Sequence, residues 1–178
     1  MKNLLSAWFG LAIYEFLSLT PDEKRRMWFI VDEIDALGRI NGLRDALARL
    51  RKFGGRVVLG FQSISQLRLV YGDAEANTII ENCGNKLILR CESSERGGSA
   101  DFAVRLIGDR LVKWNQYSVN TGIDADGGSV STQEKRETAV MASEIMQLPN
   151  LSGFFRFAGA RQWLRVSFKP TSFKQISK

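Results

Sequence analysis

Three short apolar runs, each followed at once by polar residues, are the clearest feature of the chain. They occupy residues 27–31, 57–61 and 86–91, and the polar residues that close them begin at Asp32, Gln62 and Glu92. Unbroken apolar runs of this length are typical of strands buried on both faces of a parallel sheet. The pattern therefore predicts three buried strands with polar carboxyl ends.

Segments with helical periodicity separate these runs. They cover residues 43–53, 65–70 and 73–83, and Gly54 and Gly55 follow the first of them. Alternation of strand and helix indicates a parallel sheet joined by right-handed crossovers. We therefore expect an α/β fold, with a parallel sheet flanked by helices.

The remaining segments predict smaller elements around this sheet. We expect an amino-terminal helix buried around most of its circumference, a helix over 102–107, an irregular strand over 112–119, a mobile surface loop over 120–137 and a short helix over 142–148. Residues 153–158 and 162–168 predict a closing β-hairpin. The amino-terminal apolar run is too short to span a bilayer and lacks a signal-peptide cleavage pattern, so no membrane segment is expected. Residues 1–178 are expected to form a single domain.

The amino-acid composition excludes several classes of enzyme mechanism. The chain contains no histidine, which excludes Ser-His-Asp and Cys-His nucleophiles and His-ligated zinc. A net charge of +6 favours anionic partners such as nucleic acid or nucleotide phosphates, and equally fits a solvated basic surface. Cys83 and Cys91 have neither zinc-site nor redox-pair spacing and are expected to be reduced, packed thiols in a cytoplasmic protein.

The side chains that could bind a ligand or catalyse a reaction follow the carboxyl ends of the predicted strands. Ligands bind parallel sheets beyond the carboxyl ends of the strands, where Asp32, Glu33, Gln62 and Glu92 are expected to meet. In phosphoryl-transfer ATPases such an edge carries an acid that holds the Mg²⁺ shell and a carboxylate that orients the attacking water. The alternative is that these residues have no catalytic role and are only polar residues where each strand continues into a loop. Arg51 and Lys52, at a helix end, either compensate the helix dipole or reach a neighbouring subunit's phosphate.

Taken together, these segments resemble a known family. The residues concerned are Trp28-Phe29-Ile30-Val31-Asp32-Glu33, Leu43 to Leu50, Arg51-Lys52-Phe53-Gly54-Gly55, Val57 to Ser63, Gln66-Leu67, Tyr71-Gly72 and Glu144 to Pro149. Their order and spacing are similar to those of the conjugative type IV secretion coupling proteins, which are FtsK/HerA-type P-loop ATPases with a RecA-like fold.

The resemblance implies a role for each candidate residue. Asp32 matches the Walker B acid on the metal side, Glu33 the catalytic carboxylate, and Gln62 the glutamine that senses nucleotide. Arg51 matches the arginine supplied in trans within a homo-hexameric ring. The implied cofactors are ATP and Mg²⁺, and the implied partners are DNA, its relaxase and the components of the secretion channel. Full-length members are anchored in the bacterial inner membrane.

One family motif is missing from the sequence. No GxxxxGK[ST] phosphate loop occurs, so the chain is expected to correspond to the C-terminal part of a coupling protein from Walker B onward, with weak or no ATP binding of its own. Two other hypotheses remain open. Asp32-Glu33-Ile34-Asp35 could be a DExD helicase box, and the chain could be a non-catalytic module that binds DNA or protein.

Overall fold

The structure is a computed structural model that describes residues 2–92, 97–119 and 128–172. Its α-helices are α1 (Lys2–Ser18), α2 (Ile34–Leu37), α3 (Leu43–Arg49), α4 (Ile64–Tyr71), α5 (Asp73–Asn82), α6 (Ser99–Ile107) and α7 (Ala142–Met146), and a 3-10 helix covers Leu50–Phe53. Its strands are β1 (Met27–Val31), β2 (Gly55–Leu59), β3 (Lys86–Leu89), β4 (Asp109–Val119), β5 (Gly128–Thr138), β6 (Ser152–Arg156) and β7 (Leu164–Ser167).

The first two predicted strands form a parallel pair. Met27 lies opposite Gly55 and Val31 opposite Leu59, so the strands end side by side. The second strand, which was expected to open at Arg56, begins one residue earlier, because Gly55 already pairs with Met27 of β1. The helix between the two strands is confirmed, and its last turn tightens into the 3-10 helix. The fold class is therefore α/β, as predicted.

The third apolar run is a strand, but its predicted place in the parallel sheet was wrong among the described residues. β3 pairs antiparallel with β6, and β6 pairs antiparallel with β7. The predicted closing hairpin is thus confirmed, and it supplies the partner of β3. Main-chain pairing with this hairpin satisfies one edge of β3, a long-range contact that local apolar pattern does not encode.

The apolar strands are buried on one face only. On β1, Phe29 and Val31 are buried, whereas Trp28 is 53% exposed and Ile30 is 69% exposed. On β2, Val58 is likewise exposed. Phe9 and Phe16 of α1 make edge-to-face contacts with Phe29 on the covered side. The prediction of strands buried on both faces is corrected accordingly.

Helix α1 is also covered on one side only. Ile13 and Phe16 are buried, but Leu4, Trp8 and Tyr14 are largely exposed. The expectation of a helix buried around most of its circumference was therefore wrong. Its apolar residues surround the helix axis, whereas the described part of the chain provides a packing surface along one stripe. No helix within the described residues is long and apolar enough to cross a membrane.

β4 and β5 form an antiparallel ribbon that corrects two predictions. Eleven pairs of residues align from Asp109–Thr138 to Val119–Gly128, so β4 is regular. Residues 128–137, expected within a mobile loop, belong to β5. Alternation of short polar and β-branched residues gave the segment the composition of a loop, but cross-strand pairing with β4 makes it a strand. The rest of that predicted loop, residues 120–127, lies outside the described residues.

Two hydrophobic clusters hold these elements. The larger lies between β1, β2 and helices α1 to α5, and the smaller lies between α6, α7 and β6. They meet where α4 contacts α6: the Ile64 amide donates to the Ser99 hydroxyl at 3.2 Å, and the Arg68 guanidinium lies over the Phe102 ring. Tyr71 ties the loop after α2 to α4, because its hydroxyl accepts from the Ile40 amide. Burial raises the pKa of this hydroxyl.

Candidate functional site

Asp32 and Glu33 directly follow β1 at the carboxyl edge of the parallel pair. The main chain fixes the turn they occupy, because the Gly60 amide donates to Val31 at 2.8 Å and the Ile34 amide donates back to Gly60 at 2.9 Å. The Glu33 amide also donates to Oδ1 of Asp32 at 3.1 Å. Both carboxylates are exposed, and the backbone around them is held by both strand ends.

Glu33 has a left-handed backbone, with φ 53° and ψ 57°. Only one other non-glycine residue among those described has a positive φ. The left-handed region costs an ordinary residue about 1–2 kcal/mol, and such strain occurs most often at functional sites. The Gln62 side chain reaches Glu33 from the end of β2, and its Nε2 donates to Oε1 of Glu33 at 2.5 Å. The structure thus brings Asp32, Glu33 and Gln62 together.

These three side chains line one end of a cavity of about 660 Å³. Its walls continue along β2 and β3, and helices α4, α5 and α6 form its floor. Glu92 was expected in the same group. Among the described residues it lies exposed beyond β3, and the cavity lining ends at Cys91. Because β3 does not pair with β2, the carboxyl end of β3 does not lie directly beside Gln62.

Gly60 contributes to this site and was not singled out from the sequence. A β-carbon at residue 60 would lie 2.8 Å from Oδ1 of Asp32, which is closer than real contacts allow. The absence of a side chain therefore leaves room for the Asp32 carboxylate. A glycine at the end of an apolar strand is itself a signal of such close approach.

The donor set fits a weakly held magnesium ion. Mg²⁺ keeps several waters and is usually bound by one or two carboxylates together with substrate phosphates. Asp32 and Glu33 supply two carboxylates on a shared turn, and no group of three or more acidic, cysteine or histidine ligands occurs within the described residues. The site therefore fits a metal shared with a phosphate ligand and does not fit a closed protein cage.

Arg51 lies at the opposite end of the same strands. It belongs to the 3-10 helix that precedes β2, and it is exposed. A strand of five residues is about 16 Å long, so Arg51 is separated from its own Asp32 by roughly that distance. The chain therefore does not bring Arg51 to the other three candidate residues.

Several cations share this end of the sheet. The basic edge, as we define it, comprises Lys24, Arg25, Arg26, Arg51, Lys52 and Arg56. The loop before β1 lies directly against the loop before β2, since a guanidinium nitrogen of Arg25 donates to the Phe53 carbonyl at 3.3 Å. Arg56 lies over the Trp28 ring, 5.3 Å from its centroid. Asp22 and Glu23 are the acids nearest in sequence, so positive charge predominates.

The two cysteines are free, as predicted for packed thiols. Burial raises the pKa of both Cys83 and Cys91, which disfavours the thiolate form of each. Lys86 lies close by and donates to the Cys83 carbonyl. Burial, reinforced by the nearby Arg156, lowers the pKa of this lysine.

Comparison with known proteins gives this site its context. The family model described as "Type IV secretion-system coupling protein DNA-binding domain" matches residues 1–169, nearly the whole chain. The chain belongs to this family. Among coupling proteins, it is 32% identical over 171 residues to coupling protein TraD of Escherichia coli K12, and 28% identical over 138 residues to VirD4 of Bartonella henselae. These matches cover 95% and 78% of the chain, but only 23% and 21% of the relatives.

Solved coupling-protein structures share the fold. An unbound form of the conjugative coupling protein TrwBdeltaN70 superposes with a TM-score of 0.83 at 31% identity, covering 96% of this chain and 38% of the solved chain. TrwB solved with ADP and Mg²⁺ superposes with a TM-score of 0.75 at 30% identity, with 96% and 37% covered. The chain therefore spans less than two fifths of these solved coupling proteins.

Proposed function

We propose that this chain supplies the Walker B, sensor and trans-arginine part of the ATPase motor of a conjugative coupling protein. The observation that carries the proposal is the Gln62–Glu33 hydrogen bond at the joint carboxyl edge of β1 and β2. It joins the sensing amide to the hydrolytic carboxylate in a chain whose relative TrwB was solved with ADP and Mg²⁺.

Each residue has a distinct task in this proposal. Asp32 holds the Mg²⁺ shell, and the metal, when bound, neutralises phosphate charge. Glu33 orients and activates the attacking water through its exposed carboxylate. Gln62 couples the two strand ends: its amide holds Glu33 by donating to Oε1, and a γ-phosphate competing for the same amide would release that carboxylate. Phosphate occupancy and water activation are thereby linked through one side chain.

Arg51 completes the site of a neighbouring copy. Its distance from Asp32 of the same chain, and its exposure at the basic edge, fit service in trans better than in cis. A ring, with homo-hexamer as the family arrangement, would place this edge against the carboxyl edge of the next copy. The proposed partners are DNA, the attached relaxase and components of a type IV secretion channel, and the longer protein would work at the bacterial inner membrane.

The test uses a TraD chimera in which this chain replaces the matched segment of E. coli TraD. Asp32→Asn should abolish DNA-stimulated ATP hydrolysis and weaken Mg²⁺-dependent nucleotide binding. Glu33→Gln should abolish hydrolysis but leave nucleotide binding intact. Gln133→Glu, a charge change on an exposed residue of the β5 strand outside the family motifs, serves as the matched control and should change neither quantity.

Two results would contradict this division of roles. Equal loss of nucleotide binding in Asp32→Asn and Glu33→Gln would show that the two carboxylates do not act separately. Unchanged hydrolysis in both variants, in a chimera that hydrolyses ATP, would remove these residues from the site altogether. Family membership already favours the coupling-protein motor over a DExD-box helicase.

The basic edge favours a second candidate, a non-catalytic DNA-binding module. Clustered cations recognise phosphates without reading sequence, and affinity for DNA then falls steeply with salt. Titration of labelled single-stranded DNA with the chain at several salt concentrations tests this function. Lys24→Glu with Lys52→Glu should weaken DNA binding and reduce the salt slope, whereas charge reversal of Lys135, on the β4–β5 ribbon, should not. Binding unaffected by the first pair would exclude the basic edge as the DNA surface.

A further inference from the structure

Two different segments lead away from the candidate site at the carboxyl edge of the parallel pair. Residues 34–50 lead from Glu33 to Arg51 at the basic edge, through α2, the loop of residues 38–42 and α3. Gln62, which donates to Glu33, is instead followed by α4. A contact between the loop and α4 therefore connects the segment that follows Gln62 with the segment that ends at Arg51.

Tyr71 makes this contact. It is the last residue of α4, and its side chain is buried, with 3% of the residue exposed. Its hydroxyl accepts from the Ile40 amide at 3.2 Å and donates to the Gly38 carbonyl at 3.4 Å. Ile40 is itself fully buried. One phenol hydroxyl therefore holds the main chain of the loop against the end of α4.

An ion pair adds a second link between the loop and the helices that follow Gln62. A guanidinium nitrogen of Arg39 lies 2.5 Å from Oε2 of Glu75, in the first turn of α5. The Arg39 side chain is largely exposed, and exposed ion pairs contribute little to stability. The buried Tyr71 hydroxyl is therefore the stronger of the two links.

The loop is continuous with the helix that leads to Arg51. The Leu43 amide donates to the Ile40 carbonyl at 3.3 Å, which joins the loop to the first turn of α3. At the other end, the Gly54 amide donates to the Arg51 carbonyl at 3.1 Å. With a rise of about 1.5 Å per residue, α3 and the 3-10 helix carry Arg51 about 12 Å from Leu43. A shift of the loop is therefore transmitted along one helical segment to Arg51.

Helix α4 begins directly after the candidate site. Ser63 follows Gln62 and caps the helix, because its hydroxyl accepts from a main-chain amide of the first turn at 3.2 Å. Ile64 and Leu67 are fully buried and anchor the helix along its length. Since α4 is a single anchored helix, a displacement at its Gln62 end reaches Tyr71 at the other end.

We propose that Tyr71 is a positioning residue for the arginine that each copy supplies to its neighbour. It joins α4, which follows Gln62, to the loop and helix that end at Arg51. Release of Gln62 from Glu33 by a phosphate at one site would thereby change the position of Arg51 at the next site. The part played by Arg51 rests on the proposed function, whereas the hydrogen-bonded link itself does not.

Tyr71→Phe in the TraD chimera removes only the hydroxyl. ATP hydrolysis should fall by on the order of 10²-fold, because a displacement of about 1 Å at a reacting site has an effect of this size. Nucleotide binding should be unchanged, and Glu75→Gln should cause a smaller loss of the same kind. Val70→Ala is the matched control: it removes core contacts from the preceding residue of α4 but leaves the hydroxyl, and it should not change hydrolysis. Unchanged hydrolysis in Tyr71→Phe would overturn the inference.

Mixed rings distinguish action on the neighbour from action within one copy. A mixture of Tyr71→Phe and Glu33→Gln chimeras should regain activity, because some interfaces then pair a correctly placed Arg51 with an intact Glu33. Tyr71→Phe should also cause no further loss in an Arg51→Ala background, whereas general damage would add to that of Arg51→Ala. The mixture of Arg51→Ala with Glu33→Gln is the control for action in trans. Recovery in this control alone would overturn the role of Tyr71 and leave the proposed function standing, and recovery in neither mixture would contradict both.

Hydrogen exchange of the chain alone tests the link without nucleotide. In Tyr71→Phe, the amides of Ile40 and Gly54 should exchange roughly tenfold faster, as expected for the loss of one hydrogen bond. The Gly60 amide, which joins the ends of β1 and β2, is the internal control and should be unchanged. Equal acceleration at Gly60 would show general destabilisation, and no acceleration at Gly54 would show that the loop does not control the end of the helix. Either result would overturn the link, whatever the outcome of the Asp32→Asn and Glu33→Gln chimeras.

Discussion

Glu33 carries backbone strain and candidate chemistry in one residue. Its φ of 53° belongs to the region that glycine adopts without strain, yet the position holds a glutamate whose carboxylate accepts from Gln62. Strain of this kind persists only where the surrounding structure fixes the backbone, here through the Gly60 and Ile34 hydrogen bonds. If Glu33 has the role proposed above, hydrolysis requires a glutamate at a position where the backbone favours glycine.

Glycine at position 33 should be more stable than alanine. Glu33→Gly and Glu33→Ala both lose the Gln62 hydrogen bond, but only glycine adopts the left-handed backbone without strain. We therefore expect the free energy of unfolding of Glu33→Gly to exceed that of Glu33→Ala by about 1 kcal/mol in urea titrations. Equal stability of the two variants would mean that the left-handed backbone costs nothing at this position.

Gly60→Ala should reduce ATP hydrolysis while leaving the stability of the fold nearly unchanged. The added β-carbon meets the end of the Asp32 side chain, which can rotate away, so the free energy of unfolding should change little. In the TraD chimera, however, displacement of the Asp32 carboxylate should reduce ATP hydrolysis by on the order of 10²-fold. Normal hydrolysis with normal stability would show that the position of Asp32 is not critical.

At the scale of elements, the two sheets depend on different kinds of contact. β1 and β2 are close in sequence and share the larger core, whereas β3 depends on a hairpin more than sixty residues away. Most of the β4–β5 ribbon over residues 109–116 and 130–138 is exposed, and the ribbon depends mainly on its own ladder. Isolated two-stranded ribbons are marginally stable in water, so this element is expected to exchange its amides fastest among the described strands.

Gly153→Ala should disrupt the β3–β6 pairing. A β-carbon at residue 153 would lie 2.4 Å from the Ile88 carbonyl oxygen, and main chain cannot move aside as the Asp32 side chain can. We expect destabilisation of about 1–3 kcal/mol, measured by urea unfolding. Gly10→Ala is the control, since its β-carbon would have ordinary spacing and helix propensity predicts a gain of about 1 kcal/mol. Equal effects would contradict the close approach of β3 and β6.

At the scale of the whole molecule, charge is divided between the two ends of the parallel pair. Asp32 and Glu33 lie at the carboxyl end, and the basic edge lies at the other. This division suits a head-to-tail assembly, in which one copy offers cations to the acids and phosphates of the next. The sequence also lacks the glycine-rich phosphate loop that would hold a nucleotide within one copy.

The chain alone should bind Mg²⁺·ATP weakly or not at all. The phosphate loop supplies most of the main-chain donors for a nucleotide, and the two carboxylates repel phosphate unless a metal lies between them. Isothermal titration calorimetry with Mg²⁺·ATP is the measurement. A micromolar dissociation constant would contradict the expectation and would require phosphate donors elsewhere in the chain.

Arg51 should act between copies. In the TraD chimera, Arg51→Ala should preserve folding and nucleotide binding while reducing ring ATPase by about 10³–10⁵-fold. A mixture of Arg51→Ala and Glu33→Gln chimeras should regain activity that neither has alone, because some interfaces then pair an intact Arg51 with an intact Glu33. Absence of recovery in normally assembled rings would favour dipole compensation, which contributes only about 0.3–1 kcal/mol.

Local pattern in the sequence determined most of the elements and the residue types of the candidate site. Apolar runs located β1, β2 and β3, helical periodicity located α3 to α6, and the polar residues after two of the strands located Asp32, Glu33 and Gln62. These features depend on neighbours within a few residues, so they can be read from a single chain. Whether the candidate residues perform hydrolysis stays a prediction.

Tertiary structure decided what local pattern could not express. The partner of β3, the exposed faces of α1 and β1 and the strand at 128–138 depend on segments distant in sequence or on surface that this chain does not cover. The need for glycine at position 60 likewise follows from the approach of Asp32 across the sheet edge. Apolar composition predicts that a strand is buried. Only the arrangement of the other strands determines which edge of it is paired and which face of it is covered.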